Sequence, residues 1–440
     1  MINKIRKLAE ATRKLIDYRM VWRWHFYAGL ICVPFIIVLS ITGPIYLFKP
    51  QIEAAIDARY DNLAFDGLPQ AAAAQIAAAQ AAVPGASFRS LEVRQNTHDA
   101  ARINLQSKGE KIRVYVHPQS LAILKQVPEE ARFMAVVKTI HGELLSGRTG
   151  EIIVELAACW AIVMILSGLY LWWPRQAKGL AGILWPRFGL GKRLFWRDIH
   201  AVTGIYVSAF AIFLLLSGLP WTFVWGGAFK EVRKLGQPAA TQDWSQGRSG
   251  ERTAANNEGG RPVDLTYVGG MVDMARGFDL PAPVILAAPT KGNLWKLSSE
   301  TGNRPQRVTL MVEPQMLEVI SRETFGDKKV LDQVIGVGIA AHEGQLFGWI
   351  NQALGLLTAL GLVTLCVSAV VMWWQRRPTD TLGAPALLPD ERLGPGLGVL
   401  ILVLAIVLPV LGLSLMVVAL IERLILRRIS AARAWLGLTA

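Results

Sequence analysis

Residues 24–48 read WHFYAGLICVPFIIVLSITGPIYLF and contain no Asp, Glu, Lys or Arg. About 20 apolar residues suffice to cross the hydrocarbon core of a bilayer, so this stretch predicts a membrane-spanning helix. Three further runs have the same character, namely 152–173, 199–229 and 349–374, and Glu155 is the single acidic residue among them. The sequence therefore predicts an α-helical membrane protein that spans the bilayer at least four times.

The composition supports this fold class. Hydrophobic residues make up 52% of the 440-residue chain and charged residues only 18%, against roughly a quarter in a soluble domain. The low charge and its concentration between long apolar runs exclude a purely soluble enzyme and a disordered chain. No disulfide framework or thiolate metal site is expected, because all the cysteines fall inside apolar runs: Cys32, Cys159 and Cys366.

The flanking basic residues predict an orientation. Seven lysines and arginines precede the first run and six lie in the loop 175–197, so both flanks are expected in the cytoplasm. The two long connections, roughly 50–140 and 230–341, are then expected outside it. The net charge of +13 is mostly explained by these flanks, and it is a weak indication of attraction to anionic lipid. A nucleic-acid partner is not expected.

A fifth apolar run, 396–421, allows two interpretations. It is free of charged residues but contains Pro409 and Gly412 near its middle. If it crosses the membrane, the basic residues after it lie outside, against the positive-inside bias: Arg423, Arg427, Arg428 and Arg433. A hairpin that breaks at Pro409 would keep them in the cytoplasm. Because the first helix usually dominates topology, we expect a fifth crossing.

The chain consists of two copies of one unit. Trp22-Arg23 precedes His25 as Trp196-Arg197 precedes His200, and in both copies a glycine follows a hydroxyl residue 17 to 18 positions later, at Thr42-Gly43 and Ser217-Gly218. His141 and His342 are likewise each followed, 31 and 32 residues on, by a pair of tryptophans. A direct repeat of two-span units has its symmetry axis along the membrane normal, so equivalent residues face each other at one depth.

The two long connections repeat as well. Each contains a helix-like stretch and then alternating, β-rich stretches, which predicts a small α+β domain of one helix on an antiparallel sheet. The second copy is longer, partly through 243–261, whose Gly, Ser, Asn and Arg content is typical of a flexible linker. The predicted fold is thus a pseudo-two-fold core of four helices, a fifth membrane helix and two small domains outside the cytoplasm.

The repeat pairs four of the six histidines. His25 and His200 lie at the cytoplasmic ends of spans one and three, and His141 and His342 lie at the outer ends of spans two and four. Two opposed imidazoles at one depth suit axial ligation of a haem iron, so we expect two bis-histidine haem sites. The other two histidines, His98 and His117, lack a symmetric partner and are expected at the surface of the first small domain: the repeat partner of His117 is Glu313.

Other interpretations of these residues stay open. Arg23 and Arg197 are candidate partners of haem propionates, although basic residues at a cytoplasmic flank need no such role. Glu143 and Glu343 could join the outer pair in a His2Glu2 zinc site. No acid or cysteine joins the inner pair in that way, so zinc cannot explain both pairs.

Three stretches carry a family resemblance: 22–29, the segment ending in Trp172-Trp173-Pro174-Arg175, and Trp196 to His200. They resemble the PepSY-associated transmembrane family, over a range from about residue 18 to about 437. The two long connections look like PepSY domains. The resemblance implies a bacterial inner-membrane protein tied to iron supply. Some relatives are ferric-siderophore reductases with b-type haem, and in this chain the four paired histidines match their motif positions.

The resemblance implies a function. The protein would be an oxidoreductase that passes electrons through two b haems to a ferric siderophore in the periplasm and releases Fe2+, with no catalytic residues beyond the haem ligands. The chain has no GxGxxG motif after a strand, so a separate donor is expected, either a cytoplasmic reductase docking on loop 175–197 or a membrane quinol. The alternative is a non-enzymatic PepSY module that binds or restrains a peptidase or another partner. A metal transporter is a third hypothesis, weakened by the scarcity of acids in the spans.

The expected domain boundaries follow from these patterns. They are a cytoplasmic segment (1–20), span one (21–49), a first PepSY-like domain (50–140), an outer histidine segment with span two (141–174), a basic loop (175–197), span three (198–229), a second PepSY-like domain (230–341), an outer histidine segment with span four (342–375), a cytoplasmic loop (376–395), span five (396–421) and a tail (422–440).

Overall fold

The computed structural model describes residues 18–174, 179–234, 263–290, 292–385 and 395–438. The basic segment before residue 18, Arg175 and the predicted linker 243–261 lie outside the described residues. The chain divides into two compact units. The helical unit comprises 1–44, 141–248 and 354–440, and the sheet unit comprises 45–140 and 249–353.

Long apolar helices form the helical unit. Each of the four predicted spans lies largely within one helix, and among the described residues five helical segments are long and apolar enough to cross a membrane. The chain is therefore a membrane protein, as predicted. In chain order the helices of the whole chain are α1 (Tyr18–Leu47), α2 (Lys49–Asp57), α3 (Ala72–Ala82), α4 (Phe133–Glu143), α5 (Gly147–Trp172), α6 (Lys192–Gly218), α7 (Val224–Lys234), α8 (Val268–Gly277), α9 (Val330–His342), α10 (Trp349–Arg376), α11 (Pro395–Val407), α12 (Pro409–Ile421) and α13 (Ser430–Trp435).

Glu155, the single acid of the predicted spans, has a structural role. Its carboxylate accepts hydrogen bonds from the backbone N–H groups of Val224 (2.8 Å) and Trp225 (2.9 Å) at the start of α7. A carboxylate at a helix N-terminus satisfies donors that have no partner within the helix and interacts favourably with the helix dipole. These bonds explain how a fully buried acid is accommodated in a membrane-spanning helix.

The predicted fifth span, 396–421, is not a single helix. Two helices of 13 residues, α11 and α12, are separated at Leu408, whose φ of −120° and ψ of 83° leave the helical region. Pro409 causes the break, because it has no N–H to donate and its ring clashes with the preceding turn. Each helix alone has 13 residues, but α12 continues to Leu426 as one turn of π-helix, and Pro409–Leu426 is the fifth of the segments long and apolar enough to cross a membrane.

The contacts of α11 and α12 describe a hairpin. Near the start of α11, Leu397 packs in a cluster with Met20 and Val21 of α1, close to Arg23. The break at Leu408 packs against Cys159 and Leu219, deeper in the unit. After α12 the chain returns to the end of the helical unit that holds Arg23, which we call the Arg23 end.

The return is held by hydrogen bonds to α1. Arg23 donates to the carbonyl of Gly437 (3.0 Å), and the Tyr27 hydroxyl donates to the carbonyl of Leu436 (2.5 Å). These contacts favour the hairpin alternative, and the expectation of a fifth crossing stays a prediction.

Polar partners inside the unit make the break tolerable. Irregular backbone at membrane depth requires burial in protein and internal hydrogen bonds. Leu408 is 2% exposed, and the indole Nε1 of Trp225 donates to the carbonyl of Val407 (3.0 Å). The indole N–H of Trp225 therefore satisfies a backbone carbonyl at the break, where Pro409 has no N–H to donate.

This hairpin makes a topological prediction. A green fluorescent protein fused after residue 440 should fluoresce in cells, and alkaline phosphatase at the same position should be inactive, because α11 and α12 return the chain to the Arg23 end. As a control, phosphatase inserted at Gly109, in an exposed turn of the sheet unit, should be active if the charge pattern gives the orientation. Active phosphatase after residue 440 would contradict the hairpin.

One antiparallel sheet organises the sheet unit. Its strands lie in the order β4-β3-β2-β1-β5-β6-β7-β8. The two long connections were predicted as two separate domains, but β1 pairs with β5 and joins their strands. The pairing covers what would be an open edge of each four-stranded half. The strands are β1 (Ser87–Val93), β2 (Ala101–Ser107), β3 (Glu110–Val116), β4 (Ile123–Pro128), β5 (Val284–Ala287), β6 (Trp295–Ser299), β7 (Val308–Glu313) and β8 (Glu318–Thr324).

The strand register preserves the internal repeat. Leu91 of β1 pairs with Leu286 of β5. These two residues occupy the same position in the two halves, because Leu91 also pairs with Ile103 of β2 and Leu286 pairs with Leu297, the corresponding residue of β6. In each half the register shifts at the same place, between Tyr115 and Val116 and between Met311 and Val312. A two-fold axis therefore passes through the sheet between β1 and β5.

Charged residues distinguish the first half. Arg102 pairs with Glu92 (2.9 Å), and Arg132 pairs with Glu129 (2.7 Å), as does Arg113 (3.0 Å). Burial raises the pKa of the Glu129 carboxyl, but the guanidinium groups of Arg113 and Arg132 outweigh this effect and lower the pKa overall. The stabilisation from these pairs is therefore present at neutral pH and is lost only as the pH falls through the lowered pKa.

Candidate functional site

His25 and His200 meet inside the helical unit. Their ring centroids are 6.4 Å apart and the ring planes are perpendicular. His25 lies on α1 and His200 on α6, each eight residues or fewer from the first residue of its helix. Both side chains are half-buried. The structure thus brings together the predicted inner pair.

Ser167 fixes the protonation of His25. The hydroxyl of Ser167, on α5, lies 2.8 Å from His25 Nδ1. That hydroxyl donates its own proton to the carbonyl of Val163 (2.7 Å), so towards the imidazole it acts as an acceptor. His25 Nδ1 must then carry the proton, and the lone pair of the neutral ring lies on Nε2. An imidazole held in this way is prepared to bind a metal through Nε2.

Ser368 and a carbonyl do the same for His200. Its Nδ1 lies 3.0 Å from the Ser368 hydroxyl and 3.1 Å from the carbonyl oxygen of Leu365, both on α10. A carbonyl can only accept, so Nδ1 is again the donor and Nε2 carries the lone pair. Ser167 and Ser368 are 201 residues apart, as are His141 and His342, so they are repeat equivalents.

His141 has a third hydroxyl of this kind. Thr42 Oγ1 lies 2.9 Å from His141 Nδ1 and donates to the carbonyl of Val38 (2.8 Å). A glycine follows two of these three hydroxyl residues, Thr42 and Ser167. A Cβ at Gly43 would lie 3.4 Å from His141 Cε1, and one at Gly168 would lie 3.3 Å from His25 Cε1. Larger residues would crowd the imidazoles at these positions.

The other histidines lie in the sheet unit. His342 is the last residue of α9, and since His141 belongs to the helical unit, the predicted outer pair stays a prediction. His98 stacks on the ring of Phe65 at 4.3 Å, and His117 lies 5.4 Å from the same ring. Both are half-buried, and Leu63 accepts a hydrogen bond from His98. They are thus packed beside one phenylalanine, a contact that the sequence did not predict.

The two predicted propionate partners have protein partners in the structure. Arg23 is 4% exposed and donates to carbonyls at Pro385 (2.7 Å) and Gly437. Arg197 pairs with the buried Asp198 (2.8 Å), which also binds Arg187 (2.7 Å). The ion pair between Arg187 and the buried Asp198 fastens the loop before α6. The hydrogen bond to Asp198 also raises the pKa of the Arg187 guanidinium. The role of Arg23 and Arg197 towards a haem stays a prediction.

The geometry of the inner pair fits a haem. An imidazole nitrogen binds a transition metal at about 2.0 Å, and ring bonds of about 1.33 Å put each nitrogen about 1.1 Å from the ring centre. Two imidazoles on opposite sides of one iron therefore have centroids about 6.3 Å apart. The observed 6.4 Å between His25 and His200 agrees with this value.

The described residues form no conventional metal cluster. Across the parts of the chain that the structure describes, no group of three or more His, Cys, Asp or Glu side chains is placed to hold a metal ion. The His2Glu2 zinc site considered for the outer pair stays untested, because His141 and His342 belong to different units. Two imidazoles alone make a poor zinc site, which needs four ligands, but they complete the axial ligation of haem.

Fold and site together define a class. The chain is a multi-span helical membrane protein with an internal repeat, an antiparallel sheet and a repeat-related histidine pair among its long helices. It belongs to the PepSY-associated transmembrane family, because the family model described as the PepSY-associated TM region matches residues 22–376. No curated protein matches the sequence significantly.

Sequence reasoning missed the two serines. Ser167 and Ser368 were detectable, because the 201-residue spacing of the outer histidines relates them and both precede a double tryptophan by five residues. Serines are frequent in membrane helices, however, where they commonly bond to the preceding turn. Only the contact with His25 and His200 distinguishes these two.

Proposed function

We propose that this protein transfers electrons across the bacterial inner membrane, through haem held by His25 and His200, and reduces a ferric siderophore in the periplasm. The observation that supports the proposal is the opposed inner pair, with 6.4 Å between ring centroids and both Nδ1 atoms engaged as donors. When bound, haem accepts and releases single electrons. The protein would be an oxidoreductase.

Residues of this chain prepare the site. Ser167 and Ser368 hold the two imidazoles in the Nδ1–H form and orient Nε2 for the metal. Gly168 leaves space for the ring of His25. The sequence has no Cys-x-x-Cys-His motif, so covalent attachment is not expected and the haem would be of the b type.

A route across the membrane needs a second group. His141 and His342 were predicted to hold a second b haem on the outer side, and Thr42 prepares His141 as Ser167 prepares His25. Siderophores supply oxygen ligands that bind Fe2+ far more weakly than Fe3+, so reduction of the chelate releases the metal. Electrons would come from a separate donor, a cytoplasmic reductase at loop 175–197 or a quinol.

Optical spectroscopy of the full-length protein in detergent tests the proposal. The protein as isolated, or after addition of haem, should show a low-spin spectrum with a sharp α-band after dithionite. Both predicted sites together would give about two haems per chain by pyridine haemochrome. The reduced protein should be reoxidised by a ferric siderophore without oxygen. A colourless protein that also fails to bind added haem would instead favour the non-enzymatic PepSY module.

A further inference from the structure

Arg376, the last residue of α10, lies beside the His25 face of α1. Its guanidinium carbon is 5.2 Å from the ring centre of Trp22 and 5.7 Å from that of Phe26. Residues three and four apart share a helix face, so Trp22, His25 and Phe26 lie on one side of α1. Arg376 is thus held next to the turn that carries His25.

Arg193 occupies the corresponding position for His200. It lies seven residues before His200 on α6, which places it on the same face and about 10 Å nearer the Arg23 end. Arg193 is close enough to Arg376 for the two positive charges to repel each other. The two guanidinium groups therefore approach one region from the two helices that carry the inner pair.

These charges lack a counter-ion. Within the described ranges, no carboxylate forms an ion pair with Arg193 or Arg376, and the buried Nε of Arg376 has no hydrogen-bond partner. Neighbouring like charges are unfavourable unless an anion lies between them. The planar fork of a guanidinium favours a carboxylate or a phosphate.

We infer that Arg193 and Arg376 bind the propionate carboxylates of the haem held by His25 and His200. This inference rests on the proposed function. The guanidinium groups lie on the His25 and His200 faces and towards the membrane surface, where the charged edge of the haem would be solvated. Arg23 and Arg197 are less suited, because carbonyls and Asp198 already bind their guanidinium groups. A lipid phosphate is the other source of a suitable anion.

Titration with two haems tests the assignment. Haem-free full-length protein in detergent would be titrated with haem b and with its dimethyl ester, which has the same iron but no carboxylates. Arg193→Ala and Arg376→Ala should each weaken haem b binding about tenfold to a hundredfold and leave ester binding unchanged. Arg377→Ala is the matched control, because Arg377 is exposed and stacks on Trp374 at 4.1 Å.

The outcomes separate this inference from the proposed function. Equal weakening of haem b and ester by the variants would show a merely structural role and overturn the inference. Loss of co-purified anionic phospholipid with unchanged haem binding would assign the arginines to lipid and also overturn it. If the unmodified protein gives no low-spin spectrum with either compound, the proposed function itself fails. Arg193 is exposed, so its variant is expected to fold.

Discussion

His25→Ala and His200→Ala are each expected to abolish the low-spin spectrum of the inner haem and to weaken its binding more than about a hundredfold. Even the loss of a hydrogen-bond partner of a metal-binding histidine costs about 10- to 100-fold, and these variants remove the ligand itself. The measurement is haem content and the reduced α-band of purified protein. His98→Ala, which removes a histidine packed on Phe65, should leave both unchanged.

Free imidazole should restore the spectrum of His25→Ala. The variant leaves a space the size of the lost ring, and the Ser167 hydroxyl stays in place to accept the N–H of the added imidazole. In His25→Ala/Ser167→Ala the rescue should need several-fold more imidazole, because that acceptor is gone. A normal low-spin spectrum in both single histidine variants would refute the inner site.

Ser167 and Ser368 are expected to affect the reduction potential of the inner haem to different extents. A hydrogen bond from Nδ1–H makes an imidazole a stronger donor to iron and favours Fe3+. Ser167→Ala removes the hydroxyl that accepts from His25 Nδ1 and should raise the midpoint potential by on the order of 50 mV. Ser368→Ala should raise it less, because the Leu365 carbonyl, 3.1 Å away, still accepts from His200.

Redox titration of the two serine variants provides this comparison. The two variants are matched controls for each other. Ser167 on α5 and Ser368 on α10 are repeat equivalents, and each substitution removes the same hydroxyl oxygen. The variants are titrated with haem in excess, because loss of the hydrogen-bond partner also weakens haem binding. Equal shifts, or a lower potential in Ser167→Ala, would contradict the hydrogen-bond assignment.

Local patterns in the sequence predicted the membrane-spanning helices and the pairing of the inner histidines. The charge-free run 24–48 is long enough to require a membrane helix, and the repeat placed His25 and His200 at one depth. The sequence offered the helix break at Leu408 only as an alternative, because hydropathy does not register that Trp225, far along the chain, donates to the carbonyl of Val407.

The sheet unit shows the same limit. Alternation predicted strands in each connection, but the union of the two halves depends on Leu91 meeting Leu286, almost 200 residues later. The histidine partners were within reach of the repeat argument, as the spacing of Ser167 and Ser368 shows. Which hydroxyl touches which ring is nevertheless decided by helix packing, which a single sequence does not specify.

The pairing of Leu91 with Leu286 has an evolutionary consequence. A single half of this sheet would expose the edge of β1, and a second identical half could cover it by the same two-fold pairing. Duplication and fusion of the subunit of a homodimer would produce this symmetry within one polypeptide. The two halves are not identical: His117 of one corresponds to Glu313 of the other, and the first half carries the ion pairs of Glu92 and Glu129. The symmetric sheet therefore bears different side chains in its two halves.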